Sequence, residues 1–588
     1  MTIQQPSDAS RHALSEERCG FSALLPLATI LLLTGLVVWL ASDRALNGTL
    51  EAESADIARH FLQLGDWTVN HMNGAEDYDK PPLYYWVIGL VRSVTGAHWE
   101  LAARLPSVLS LALIMLLFWL LPRESDQGVP VLLAAAILIT SPKVIGMAQM
   151  ARMDLMLSLF TFASVLFFAR YWISSARETG ERNQDYYLFF IAAALAVMTK
   201  GPVGFIITAV PVFLFLLQQG AFRELSRVFL GRGMLLFLLI ALPWFVYASI
   251  MTEGRFFRWF ILEENLSRFG NLFSGLQFTT FQRQPGWQYL AHFLWGFFPW
   301  ALFLPVIIFQ VLRDRLRRSG VDGLLVIYIL WILLFFSLSG IKRSDYILPI
   351  YPAAAWLVAG YLSLEIGTRS LHRVFLITGG IVLLLLLVLA LVPPLLSSDA
   401  GQAWVTSWLG PDRLQEARPY LSSLGEWLGY LVGGFLLLGC LWWYGGTLRE
   451  RLPLIRLYIL FQGIVLAFFL IMMHSTSKER EDTRSYIATI ARLVGERPVY
   501  VYRSWDEEYG FYLNRHVPEV NEAELMRILK GDGRGTESYI LIEPKYFKRL
   551  FNSPGEVPFF FAEGMPPDRP MYLISNTRPA GAVGATRP

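Results

Sequence analysis

Residues able to do chemistry gather in one short stretch, Asp77–Trp86, which reads Asp-Tyr-Asp-Lys-Pro-Pro-Leu-Tyr-Tyr-Trp. Pro81 and Pro82 fix their own φ angles, and Pro81 keeps Lys80 out of the α region. The Asp79–Lys80 pair is thereby held in an extended turn before a helix can begin. A fixed ammonium beside a fixed carboxylate suits a site for a phosphate and a reacting hydroxyl. The competing reading is an interfacial turn with snorkelling side chains and an aromatic belt. Apolar runs flank the stretch on both sides, and unpaired charge beside lipid is costly, so these charges need a reason.

The elements that must position them are membrane helices. The 588 residues are 54% hydrophobic and 16% charged, which describes an α-helical polytopic membrane protein rather than a soluble globule. A net charge of +3 gives no argument for a nucleic-acid partner. Two cysteines, Cys19 and Cys440, leave no disulfide framework and no Cys-built metal site in one chain. Thirteen apolar runs are long enough to span: 21–42, 101–121, 129–148, 153–175, 186–199, 201–218, 232–250, 287–311, 321–340, 345–364, 374–396, 425–445 and 453–473. The run Leu83–Val94 is too short and is expected to lie at the interface, with Tyr84, Tyr85 and Trp86 at headgroup depth.

Arginines set the orientation. With residues 1–20 as a cytoplasmic tail, every later inward connection carries arginine, from Arg123 to Arg449 and Arg451. Residues 1–20 show no cleavable signal pattern, so the first apolar run is expected to be retained. The outward face then holds the loop 43–100, the loop 251–286, the loop 397–424 and a tail from 474. Lys143, Arg152, Lys200, Lys342 and Arg343 also fall there, against the charge bias, and their convergence points to anion binding. Residues 21–473 thus form the transmembrane domain. Residues 474–578 read as a small α/β domain, with strands near Val499–Arg503, Tyr539–Ile542 and Tyr572–Ile574. Residues 579–588 read as a disordered tail. No P-loop, GxGxxG or HExxH occurs in the chain.

Four sets of residues carry a resemblance. They are Ala55-Asp56-Ile57-Ala58-Arg59 with Gly65-Asp66-Trp67, then Tyr78-Asp79-Lys80-Pro81-Pro82 and Ala103-Arg104-Leu105-Pro106, then Ala151-Arg152-Met153-Asp154, and last Phe257–Phe269 with Lys342–Pro349. In this order the chain resembles bacterial membrane glycosyltransferases of the protein O-mannosyltransferase and lipid A aminoarabinose transferase type, the GT-C class. The resemblance covers about residues 20–365. It implies about thirteen spans with two helices in the first outer loop, here Glu51–Leu64 and Leu83–Val94. It implies inverting transfer of a sugar from a polyprenyl phosphate to a lipid, glycan or protein acceptor. The implied place is the periplasmic face of a bacterial inner membrane, with the C-terminal domain on that side.

The resemblance breaks at one point. Where the family's loop opens Asp-Glu-x-Arg-Tyr-Ala, this chain has Leu50-Glu51-Ala52-Glu53-Ser54-Ala55. The family's aspartate falls on Leu50, so a neighbour must supply the general base. Gly48 breaks the preceding run and so delays the helix start to Glu51, which is chosen as the base. Glu53 is favoured if the helix already runs through Leu50, because residues 50 and 53 share a face. Asp79 is the third candidate. Glu51 and Asp79 are alternatively read as ligands of a divalent cation, with no other cofactor required. Lys80 is ranked first as phosphate ligand, followed by Arg268, Lys342 and Arg343, with Tyr346 as a hydrogen-bond donor and Arg152 beside them. Two other readings are kept: a transporter or flippase for a lipid-linked sugar, and a non-catalytic binder of one.

Overall fold

The computed structural model describes residues 8–46, 48–121, 131–176, 182–266, 285–315, 320–339, 342–364, 367–396 and 427–481, with single positions between 398 and 407. It then describes residues 483–503, 507–530, 537–551, 553–562, 565 and 571–577. Arg268, the loop 408–424 and the tail 579–588 lie outside the described residues.

Each of the thirteen apolar runs is mainly helical where it is described, with turns at 140–141, 297–299 and 345–349. Seven helices among the described residues are long and apolar enough to cross a membrane, and nine if each of two bent pairs is one span. The expected thirteen also includes three shorter apolar helices, Leu27–Asp43, Pro202–Gln218 and Ile350–Ser363, and the helix Arg182–Lys200, whose first turn is polar. One bent pair, Val131–Ile139 and Pro142–Ala148, turns by 74°. Pro142 starts its second helix, where a missing N–H costs nothing. The other, Gln288–Gly296 and Trp300–Arg313, turns by 115°. The chain is a multi-pass membrane protein.

The loop after the first apolar helix, called the outer loop for its expected side, holds two helices, Gly48–Leu64 and Leu83–Thr95. Ala52, Ala55, Ala58 and Phe61 repeat every third residue and form the buried stripe of the first. That stripe packs on Tyr84, Tyr85 and Ile88 of the second. Tyr84 and Tyr85 are fully buried, so they turn into this core instead of lying at headgroup depth. Gly89 makes the close packing feasible, since a Cβ there would lie 3.1 Å from the Trp67 ring.

Between the two helices, β1 (Asn70–Met72) pairs antiparallel with β2 (Ala75–Asp77). Asn73 and Gly74 form the turn, both at positive φ (48° and 78°). Asn-Gly is the pair that a two-residue hairpin with this twist prefers.

The C-terminal domain is a five-stranded sheet in the order β4–β3–β5–β7–β6. Its strands are β3 (Val499–Tyr502), β4 (Glu519–Val520), β5 (Tyr539–Ile542), β6 (Phe559–Phe561) and β7 (Tyr572–Ser575). β3 runs parallel to β4 and β5, and β7 is antiparallel to β5 and β6. All four residues of β5 are buried. Tyr539 and Leu541 face the helix Thr483–Val494, while Ile540 and Ile542 face Leu525 and Phe547. A strand covered on both faces reads as an unbroken apolar run, as this one does. The helix that begins at Arg451 runs to Glu481, so residue 474 falls inside it.

Candidate active site

The first outer helix begins at Gly48, not at Glu51, and so runs through Leu50. Glycine disfavours a helix interior by about 0.5–1 kcal/mol, and the buried stripe outweighs that. The consequence is a split between two carboxylates two residues apart.

Glu51 points into protein. Its Oε1 accepts from Arg104 Nε at 2.9 Å and from the Ala151 N–H at 2.7 Å. Its Oε2 accepts from Arg104 Nη2 at 2.8 Å and lies 3.5 Å from Arg44. Arg104 is fully buried and also donates to the carbonyls of Ala41, Arg44 and Ala45. Glu51 therefore ties three segments together: the end of the first span, the start of the span at Trp99, and the Ala151–Asp154 corner.

Glu53 points the other way. It lies within electrostatic reach of Asp77, Asp79, Lys80 and Glu507. Burial, then the Asp77 carboxylate, push its carboxyl up from 4.5 to about 8. Burial, then Asp79, push Asp77 up to about 6. Three atoms cluster here in burial, Asn70 Oδ1, Asp77 Oδ2 and the Tyr85 hydroxyl, and the Asn70 side chain lies against the Asp77 carboxyl and lowers its proton affinity. Tyr85 itself senses the charges of Glu53, Asp77 and Asp79.

The Asp77–Pro82 turn is held from several sides. Asn70 Nδ2 donates to the Lys80 carbonyl at 2.8 Å, and the Asp79 N–H donates to Asp77 Oδ1 at 3.3 Å. Trp259 Nε1 donates to Asp79 Oδ1 at 2.9 Å. Lys80 Nζ donates to the Asp79 carbonyl at 2.9 Å. Pro82 then precedes the first turn of the second outer helix, as two prolines after Lys80 predict.

The other cations divide. Lys200 donates to the buried Asp154, and its Nζ lies 4.8 Å from the centre of the Tyr346 ring. Arg152 bridges Asp154 at 3.2 Å and Asp345 at 2.6 Å. Lys342 Nζ donates to the carbonyls of Phe336, Ser337 and Ser339 at 3.1, 2.6 and 2.6 Å, which caps the C-terminal end of the helix Val321–Leu338. Arg343 is 3.5 Å from Asp345. Lys143 donates to Ser344 at 2.8 Å. Sequence reasoning ranked Lys342 and Arg343 as phosphate ligands and left Lys200 out of the ranking. Its place just before Gly201-Pro202, at the C-terminal end of the helix Arg182–Lys200, is the available signal.

Two cavities meet at Asp79. The inner one, about 280 Å³, is lined by Asp79, Lys80, Lys200 and Tyr346 together with apolar side chains such as Phe260, Phe335 and Phe336. The outer one, about 710 Å³, lies between the β1–β2 hairpin and the C-terminal domain, with Asp77, Asp79, Trp259, Glu507 and His516 in its wall. Among the described residues no group of three or more His, Cys, Asp or Glu side chains is arranged to hold a metal ion.

The C-terminal domain is pinned to the loop. Arg59 Nη1 donates to the Phe511 carbonyl at 2.7 Å and to Asn514 Oδ1 at 3.0 Å. Asn73 Nδ2 donates to the Val517 carbonyl, and Asn73 Oδ1 accepts from the Val517 N–H, both at 3.0 Å. The Tyr512 hydroxyl accepts from the Leu46 N–H at 2.8 Å and donates to Glu100 at 3.0 Å. The turn residue Asn73 was not singled out from the sequence, although Asn-Gly between two β-prone pairs marks a hairpin.

Known proteins with the same features can now be named. A family profile described as "Dolichyl-phosphate-mannose-protein mannosyltransferase" matches residues 79–247. An "Undecaprenyl phosphate-alpha-4-amino-4-deoxy-L-arabinose arabinosyl transferase" of Edwardsiella ictaluri is 30% identical over 322 residues, 54% of this chain and 56% of that one. The protein of the same description from Yersinia enterocolitica is 28% identical over 389 residues, 66% of each chain. The chain thus spans between about half and two thirds of the length of the curated relatives it matches. ArnT from Cupriavidus metallidurans, solved bound to undecaprenyl phosphate, superposes with a TM-score of 0.73 at 20% identity, over 96% of this chain and 99% of that one. The chain therefore shares the fold of that protein over almost its whole length, membrane helices and C-terminal sheet together.

Proposed function

We propose that the chain is an inverting glycosyltransferase. It moves a sugar from a polyprenyl-phosphate donor to a lipid, glycan or protein acceptor on the periplasmic face of a bacterial inner membrane. The observation that carries this reading is the junction at Asp79. On one side an apolar cavity ends in two lysines and a tyrosine; on the other opens a larger cavity walled by carboxylates. A prenyl tail with a phosphate head fits the first, and the sugar at the junction faces an acceptor hydroxyl in the second. The relatives described as undecaprenyl phosphate-aminoarabinose transferases support the donor class.

The roles follow from the geometry. Lys80 and Lys200 offset the charge of the leaving phosphate, and the Tyr346 hydroxyl donates to it. Arg152 and Asp345 hold Lys200's partner Asp154 in place, and Lys342 and Arg343 fix the Tyr346 segment. Glu53, which lines neither cavity but senses Asp77, Asp79 and Lys80, is assigned as the general base from its electrostatic surroundings. Its carboxyl sits among other acids, and a raised proton affinity suits removal of a hydroxyl proton. Glu51 holds the scaffold through Arg104. A hard divalent cation fits better at Asp77 and Asp79, beside the buried Asn70 Oδ1 and Tyr85 hydroxyl, than at Glu51, whose oxygens already accept four donors.

The test is transfer from a panel of radiolabelled undecaprenyl-phosphate sugars in membranes containing the full chain, with and without chelator. Label must leave the donor in a Lys80-dependent way. If the chain binds undecaprenyl phosphate yet transfers no sugar, the non-catalytic reading replaces this one.

A further inference from the structure

The C-terminal sheet is wound in both directions. β3 comes first; the chain moves to β4 on one side of it and then returns to β5 on the other. Both connections join parallel strands, and they pass on opposite faces. The helix Glu507–Leu513 lies on the face of Tyr539 and Leu541, and the helix Glu522–Lys530 on the face of Ile540 and Ile542. Connections that leave in opposite directions open a crevice at the C-terminal ends of β3 and β5, the place where sheets of this kind take ligands.

The groups at those ends share a chemistry. Tyr502 closes β3 and pairs in register with Ile542, which closes β5. Arg503 follows at φ 50°, a backbone conformation uncommon for a non-glycine residue. Its guanidinium carbon is 5.4 Å from the centre of the Tyr502 ring. Tyr546, on the helix Pro544–Leu550 after β5, meets Tyr502 edge-on at 5.9 Å. Lys545 Nζ lies 4.7 Å from the centre of the Tyr546 ring and 2.6 Å from Glu543. Arg549, one turn on, is within electrostatic reach of the Tyr502 hydroxyl, as is Glu522, 3.5 Å from it. Arg503, Lys545, Lys548 and Arg549 are exposed, and among the described residues only Lys545 has an acidic partner within 4 Å. None of these side chains lines the inner or the outer cavity.

This set fits two parts of one ligand. Arginines take phosphate oxygens in forked, charge-assisted hydrogen bonds. A carboxylate beside them accepts from sugar hydroxyls. The contacts to the membrane part run through the opposite face, from Tyr512 to Leu46 and from Phe511 to Arg59. The face that bears Arg549 is thus turned away from the chain's own spans, where a soluble glycan reaches it more readily than the headgroups of the same bilayer.

We propose that the C-terminal domain binds a phosphorylated sugar residue of a glycan at the ends of β3 and β5, with Arg503 and Arg549 on the phosphate and Glu522 on a sugar hydroxyl. The site is separate from the transfer chemistry and does not depend on it.

The full chain, held in phosphatidylcholine nanodiscs, is titrated with fluorescent phosphomannan and with the same polymer after phosphatase. Binding should need the phosphate and should weaken between about 0.05 and 0.5 M salt, because exposed charges are screened. Arg503→Gln combined with Arg549→Gln should raise the Kd roughly tenfold, the scale of two exposed charge pairs. Arg549→Gln alone, which leaves the β3 end intact, should raise it roughly threefold. Arg492→Gln, exposed on the helix Thr483–Val494 across the sheet, should leave it unchanged. Glu522→Ala should weaken phosphomannan but not inorganic polyphosphate, which has no sugar hydroxyl; equal weakening of both overturns the sugar part. Equal binding of the dephosphorylated polymer, an equal loss in Arg492→Gln, or no binding by the wild type overturns the proposal. Arg549-dependent capture of phosphatidylglycerol vesicles, with phosphomannan ignored, overturns it in favour of a lipid surface.

Discussion

The two cavities share Asp79 and little else. The inner one is apolar with cations at its head; the outer one is acidic and aromatic. The groups at the head of the inner cavity come from two places: Lys200 closes the helix Arg182–Lys200 and Tyr346 follows the helix Val321–Leu338, while Lys80 sits in the loop turn after β2. The carboxylates above come from the β1–β2 hairpin and from the C-terminal domain. The inner cavity is therefore built from membrane-helix ends and the loop turn, and the outer one is closed by the C-terminal domain.

The sharpest way to break this contrast is at Lys80. Lys80→Ala should lower transfer by about 10²–10³-fold, the scale of losing one charge-stabilising donor, with the thermal midpoint little changed. Lys80→Arg should recover part of the rate, because the charge survives with a different shape. Full activity of Lys80→Ala would remove the phosphate from this turn.

Next comes Glu53. Glu53→Gln should cost at least ~10²-fold in rate with donor binding retained. The wild-type rate should climb with pH through about 8, because the base works only once deprotonated. Stability should move the other way. Between 4.5 and about 8 the folded state keeps the Glu53 proton while the unfolded chain has lost it, so stability falls as pH rises across that window. Glu53→Gln should flatten both trends, seen as a rate profile and as melting curves from pH 5 to 8.5. A flat wild-type profile, or an unaltered one in the variant, would take the base role from Glu53. Glu51→Ala is the contrasting change. It strands the buried Arg104 and should destabilise by roughly 3–5 kcal/mol, read as lost yield and a lower melting temperature. If instead it folds normally and fails only in transfer, Glu51 is the base.

The smallest effect is expected at Lys200. Lys200→Met keeps the stem and removes the charge, and Lys80 remains, so undecaprenyl phosphate binding should weaken by roughly tenfold. No change in affinity would confine Lys200 to its pair with Asp154.

Much of this was legible in the chain. Long apolar runs dictate helices, and the polar stretch with two helices between the first two of them was readable to within a few residues. The covered sheet was readable from Tyr539–Ile542. What escaped depends on partners far away in sequence. Nothing near Glu51 says that Arg104 and the Ala151 N–H, 53 and 100 positions on, take up its oxygens. Nothing near Lys342 says that its ammonium closes the preceding helix. Gly48 was read as a late helix start because glycine weakens helices locally; burial of Ala52, Ala55 and Ala58 decided otherwise. The span count was readable only as apolar runs, since bent pairs and short helices blur the match between run and crossing.

The pins between the outer loop and the sheet domain also have a timing. Arg59 and Phe511 are 452 positions apart, and Asn73 and Val517 are 444 apart. At about 5–20 residues per second of synthesis, Arg59 waits roughly 20–90 s for its partner to exist. The Glu51–Arg104–Ala151 knot closes within the first 100 positions after Glu51, long before that. A newly made chain thus passes through a stage in which the loop is already anchored but the outer cavity has only one wall, and only the last fifth of translation makes it a container.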